Sequence, residues 1–144
     1  LDQTSIRFLT SQDQAKLAQF GHLETYLKQK QTELAEWNDK LGARAEIPAN
    51  TRRSTNIGEF RAYVENYLRN HPGIRQDMTI LVRQLPPQPE GLPLEIYCFT
   101  RTTAWDAYEG IQSDVFDHLL AILPEFDLHV FQNPSGRDFH AVAR

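Results

Sequence analysis

Several features that would narrow the function are scarce or missing in this chain. Of its 144 residues one is a cysteine, Cys98, so no internal disulfide can form and a reducing compartment suits the chain. Cys98 lies in an apolar, strand-like run, the setting of a buried inert thiol rather than of a nucleophile. No stretch approaches the ~20 apolar residues that a membrane span needs. The opening LDQTSIRFLT has neither the basic flank nor the apolar core of a signal peptide, and it carries no initiator Met. It reads as the start of a piece cut from a longer protein, so the missing span does not make the parent soluble. Positive charge is also in deficit: 15 Lys and Arg face 19 Asp and Glu, a formal net charge of −4, which speaks against nucleic acid or an anionic membrane surface as partner. Walker, GxGxxG, GxSxG, HxxxH and CxxC patterns are all absent. Ser135 sits in a Pro-Gly turn, and the histidines at 22, 71, 118, 129 and 140 show no triad spacing. What is present is ordinary: 40% hydrophobic and 24% charged residues, on a length that suits one domain with a real core.

Local patterns alternate between strand and helix. Ser5–Thr10 (SIRFLT) has the alternation of a short strand. From Ser11 to Leu41 the composition turns helical, with Leu27, Leu34 and Leu41 on a seven-residue step beside Leu23 and Trp37. That stripe is narrow and predicts a helical hairpin lying along the body of the domain, broken near Gly21-His22 and capped by Gly42. After the connector Ala43–Asn50, a strand is expected over Thr51–Asn56. Asn56 with Glu59 has the spacing of a capping box, opening a helix whose inward residues are Ile57, Phe60, Val64, Tyr67 and Leu68. His71-Pro72-Gly73 ends it. MTILVRQL and LEIYCFT read as two strands joined by the Pro-rich PPQPEGLP. In that hairpin Ile80, Val82, Ile96 and Cys98 share one face. Leu81, Arg83, Tyr97 and Phe99 share the other, with Arg83 and Glu95 placed to pair across it. Thr103 and Asp106 signal a second helix start, with Tyr108, Ile111, Val115, Leu119 and Ile122 in line, Phe116, Leu120 and Leu123 beside them, and Pro124 at the end. A last strand is expected over Asp127–Gln132, before a turn at Asn133–Gly136. The order from Thr51 is then β-α-β-β-α-β. The expected fold is therefore α+β: a ferredoxin-like sandwich over 51–144, preceded by a strand and a helical insertion over 1–50.

The candidate chemistry is thin. In SDVFDHLLAIL (Ser113–Leu123) a helix would bring Asp114 and His118 onto one surface with Asp117 beside them. A metal needs three or four converging ligands and no further ones are supplied nearby, so the trio reads as a solvated helical face. The RNA-recognition motif shares the β-α-β-β-α-β order, and Tyr97 and Phe99 alternate onto one sheet face as stacking aromatics would. The run around them lacks the basic-Gly-aromatic signature, however, and no aromatic stands on the first strand. Leu81, Tyr97 and Phe99 then need cover from the helical insertion or from a neighbouring subunit.

Taken together, SIRFLT, RRSTNIGEFRAYVENYLRNHP, MTILVRQLPPQPEGLPLEIYCFT, YEGIQSDVFDHLLAILPEF and FQNPSG resemble the C-terminal cytoplasmic part of the small-conductance mechanosensitive channel (MscS) family, in particular its miniconductance branch. Ser11–Asn50 is the least distinctive part. The resemblance implies a bacterial inner-membrane channel, usually a homoheptamer, that opens under bilayer tension in hypo-osmotic shock. This chain would be its α/β domain on the cytoplasmic side, walling a vestibule with side portals. The implied partners are other subunits of the same channel. Neither catalytic residues nor a cofactor nor a metal site is implied. The competing expectations are a ligand-sensing regulatory module of the same fold and an RNA-binding domain.

Overall fold

In a computed structural model, which describes residues 1–135 and residue 138, the helix α3 (Asn56–Arg69) is the element on which the others pack. Thr55 caps it, holding extended backbone while its hydroxyl accepts from the Gly58 N–H at 3.2 Å. The sequence places the cap at Asn56; the observed cap is one residue earlier because the Asn56 side chain is engaged elsewhere. Ile57, Phe60, Tyr63, Val64 and Leu68 are buried along its inner face, and Tyr67 is half-buried.

Against α3 lies the hairpin of β1 (Leu81–Gln84) and β2 (Leu94–Tyr97), antiparallel with Leu81 opposite Tyr97 and Arg83 opposite Glu95. The expected register holds. Ile80 and Val82 are buried, Leu81 and Tyr97 are exposed, and Arg83 meets Glu95 at 2.9 Å on the outer face. Ile96 and Cys98 share the inner face but are only half-buried. In the connecting loop Gln88 and Gly91 exchange two backbone bonds of 2.9 Å. Gly91 has φ +100°, and a β-carbon there would strike the Leu1 carbonyl oxygen.

The four-stranded ferredoxin-like sheet expected from the sequence is not what the described residues form. They give an α+β arrangement whose only sheet is the two-stranded hairpin. Ser5–Thr10 and Thr51–Asn56 meet in a single antiparallel bridge, Phe8 with Thr55. The ladder cannot lengthen, because a 3-10 turn at Gln3–Ser5 occupies one end and α3 claims Asn56 at the other. Asp127–Gln132 is likewise no strand. Asp127 takes a left-handed conformation, φ +53°, and the backbone that follows leans on the N-terminus, with the Asp2 N–H donating to the His129 carbonyl at 2.8 Å. The expected turn at Asn133–Gly136 ends on a residue outside those described.

The helical insertion breaks where expected, into α1 (Ser11–Leu17) and α2 (Glu24–Asp39), and Gly42 ends it at φ +55°. Thr10 and Asp13 form the capping box of α1. Leu17, Leu23 and Leu27 join the buried cluster around α3, whereas Trp37 stays exposed, so only the near half of the seven-residue stripe reaches the core. The insertion does not cover Leu81 or Tyr97. The helix α4 (Trp105–Ile122) has Ala104 rather than Thr103 as its cap residue, with no side-chain bond there; the Thr102 hydroxyl instead accepts from the Ala104 N–H at 3.1 Å. A 3-10 turn, Leu123–Phe126, containing Pro124 follows it.

Candidate functional site

The polar trio of α4 is divided rather than gathered. Val115 and Leu119 turn to the core, which leaves Asp114 and Asp117 exposed and His118 half-buried at the seam with α3. His118 is not on a solvated face as the sequence suggests. Its Nε2 lies 2.8 Å from the Tyr63 hydroxyl, and its ring stacks on Tyr67 with centroids 4.3 Å apart and planes within 6°. His22 reaches the same tyrosines edge-on from the α1–α2 turn, and His71 meets Tyr67 from the end of α3. Burial pushes both tyrosine hydroxyls up from their ordinary range, and the Asp114 carboxylate adds to this at Tyr67. The arrangement is a packed seam between the insertion, α3 and α4. Among the described residues no group of three or more His, Cys, Asp or Glu converges as metal ligands would.

Two buried polar residues of α3 escape sequence reading. Asn56, 0% exposed, accepts from the Arg7 N–H at 3.0 Å and donates to the carbonyls of Ser5 at 2.8 Å and Phe126 at 3.1 Å. It thereby ties the N-terminal segment and the end of the 3-10 turn after α4 to the start of α3. Glu59, 1% exposed, has one carboxylate oxygen, Oε2, without a partner. Burial pushes its carboxyl up from the ordinary range; a bond with Ser54 and the charge of Lys30 act in the opposite direction. The Asn-x-x-Glu spacing that suggests a capping box is the only sequence signal at these positions, and it points to a different role.

Two surfaces remain. A polar cleft of about 440 Å³ separates the start of α2 from α3, lined by residues including His22, Tyr26, Gln29, Arg61 and Asn66. On α4, Trp105 (77% exposed), Phe116 (51%) and Leu120 (53%) leave a second apolar face uncovered. That helix also carries Asp106, Glu109, Asp114 and Asp117 and no Lys or Arg. The rest of the chain is therefore balanced, 15 acidic residues to 15 basic.

Among the described residues the domain is tied together by buried side-chain bonds and leaves apolar surface bare on both helix and hairpin. The chain belongs to the MscS family of mechanosensitive ion channels: residues 45–130 match the family described as mechanosensitive ion channel MscS, C-terminal. The low conductance mechanosensitive channel YnaI of Escherichia coli (strain K12) is similar, at 34% identity over 67 residues, which cover 46% of this chain and 20% of that protein. The matched region thus spans about a fifth of that relative's length. No solved structure matches the chain. Among the described residues no helix is long and apolar enough to cross a membrane.

Proposed function

We propose that this chain is the part of a tension-gated channel subunit that walls a vestibule on the cytoplasmic side of a bacterial inner membrane. Its partners are copies of the same subunit, in the ring of seven usual for the family, and it carries out no catalysis. The channel would open when hypo-osmotic stress stretches the bilayer. The observation that carries this reading is the family match across residues 45–130. The bare apolar residues on α4 and on the outer face of the hairpin support it, because such surface normally marks contact with another chain. The test is sidedness and copy number in the whole subunit. A membrane-impermeant label should reach a cysteine placed at exposed Glu36 only from the cytoplasmic side, and native mass measurement should give seven copies. Labelling from the outer side would sink the vestibule assignment.

The polar cleft between α2 and α3 favours a second reading, a ligand-sensing module. Arg61 makes no ion pair among the described residues, whereas Glu65 beside it is paired with Arg69 at 2.7 Å, so the cleft leans towards an anion. Calorimetric titration with inorganic phosphate and with succinate distinguishes the readings: saturable heat removed by Arg61→Gln supports sensing, and its absence leaves the vestibule wall.

A further inference from the structure

One edge of β2 is partnered and the other is bare. The Leu85 N–H donates to the Pro93 carbonyl at 3.0 Å, the Arg75 N–H to the Phe99 carbonyl at 2.8 Å, and the Arg101 N–H to the Gly73 carbonyl at 2.9 Å. The odd-numbered residues from Pro93 to Arg101 thus turn their backbone groups to the side on which β1 lies. Those groups alternate between edges along a strand, so Leu94, Ile96 and Cys98 present theirs to the opposite edge. Among the described residues no strand of the sheet meets them there. The side chains agree with a missing neighbour. Ile80 and Val82 of the inner face are buried, while Ile96 and Cys98 on the same face are half-exposed. A groove of about 140 Å³ opens beside them, lined by Ile96, Cys98, Tyr108, Ile111 and Phe116 among others. A bare apolar edge of this kind is a liability unless it is covered.

One residue already sits on that edge. The Leu1 nitrogen donates to the Leu92 carbonyl at 2.8 Å, and the Leu92 N–H donates to the Leu1 carbonyl at 2.8 Å. This reciprocal exchange is the closely spaced pair of an antiparallel ladder, and Gly91, with no β-carbon, lets Leu1 approach. Each step backwards from Leu1 in that ladder is a step forwards from Leu92. The second, fourth and sixth residues ahead of Leu1 would therefore stand opposite Leu94, Ile96 and Cys98.

We propose that the polypeptide leading into Leu1 completes the sheet as a third strand, antiparallel to β2, with apolar side chains at those three positions filling the groove against Phe116 of α4. This occupant requires the longer channel subunit of the preceding reading. Its source is the same chain, since the pair that sets the register belongs to it. The added strand satisfies the bare N–H and C=O groups of β2 and buries Ile96 and Cys98 as fully as their β1 neighbours. It also fixes the domain to the polypeptide ahead of it through a ladder rather than a free linker.

Amide hydrogen exchange at Ile96 and Cys98, with maleimide labelling of Cys98, tests this in the 144-residue chain and in the whole subunit in detergent. The whole subunit should slow both amides by about tenfold or more and slow the labelling alongside, because exchange from the edge then requires the ladder to open. Tyr97, bonded towards β1, should be protected in both. A proline at the fourth position ahead of Leu1, whose N–H would donate to the Ile96 carbonyl, should restore fast exchange at Ile96 and leave Tyr97 unchanged. Equal exchange in the two proteins, a proline without effect at Ile96, or protection that appears only as copies associate would each overturn the third strand. A subunit that conducts under tension with this edge open sinks the strand and leaves the channel reading standing; a protected edge without tension-gated current does the reverse.

Discussion

Asn56 stands in for a strand that the described residues do not build. By accepting from Arg7 and donating to Ser5 and Phe126, its amide replaces ladder bonds that would otherwise join the N-terminal segment to the residues ahead of α3. Asn56→Ala strands buried partners of both kinds, so a loss of about 3 kcal/mol in a urea titration is expected; a loss under about 1 kcal/mol would show that water satisfies them instead. Glu59 carries the opposite lesson, a buried acid with too few partners. Its folded pKa lies above that of the unfolded chain, so the folded state holds the proton more tightly. The stabilisation from that proton is complete below the unfolded value and is lost as pH rises from there through the folded value. Glu59→Gln should abolish this decline and leave the domain about 1 kcal/mol more stable at pH 8, measured by urea unfolding across pH 4–8. A steeper decline in the variant would contradict it. The sequence shows neither role, because an Asn and a Glu at capping distance look the same whether they face water or the core. For His118 a solvated face was expected, and the tyrosines that hold it lie 55 and 51 positions earlier in the chain, beyond the reach of any local pattern.

At the scale of elements, periodicity did well where one face of an element is covered and poorly where two are apolar. The inner residues of α3 and the hairpin register were legible, since a one-residue slip would bury Arg83 and expose Val82. The expected strands over Ser5–Thr10, Thr51–Asn56 and Asp127–Gln132 had the right residue types but too few backbone partners, and alternation by itself cannot supply those. The seven-residue step lines up Leu27, Leu34 and Leu41, whereas of these only Leu27 is buried, beside Leu23 at the start of α2, and Leu34 is half-exposed. Leu23→Ala should therefore cost about 3 kcal/mol, and Leu34→Ala less than about 1 kcal/mol, by the same unfolding titration. Equal costs would mean that the whole of α2 shares the core. On α4 the sequence lines up more apolar residues than one face can bury, and the excess stands exposed at Trp105, Phe116 and Leu120.

For the whole molecule, membership of the channel family was legible because several linked runs match together, something no single motif could carry. Assembly follows a different logic from folding. A closed ring needs a heterologous surface repeated on every copy, and each weak contact gains from subunits already held together in a membrane. On the proposed ring reading, the 144 residues taken by themselves are without that gain, and their net charge of −4 opposes association at low salt. Light scattering with size exclusion should find a monomer or dimer at micromolar concentration; a stable heptamer would show that this domain alone holds the ring. The most direct measurement for the proposed channel subunit is current recorded from membrane patches containing the whole subunit while suction stretches the bilayer. A vestibule wall of a tension-gated channel predicts current that rises with suction and vanishes when it is released. A folded, membrane-inserted subunit that passes no current at any suction short of patch rupture would contradict it.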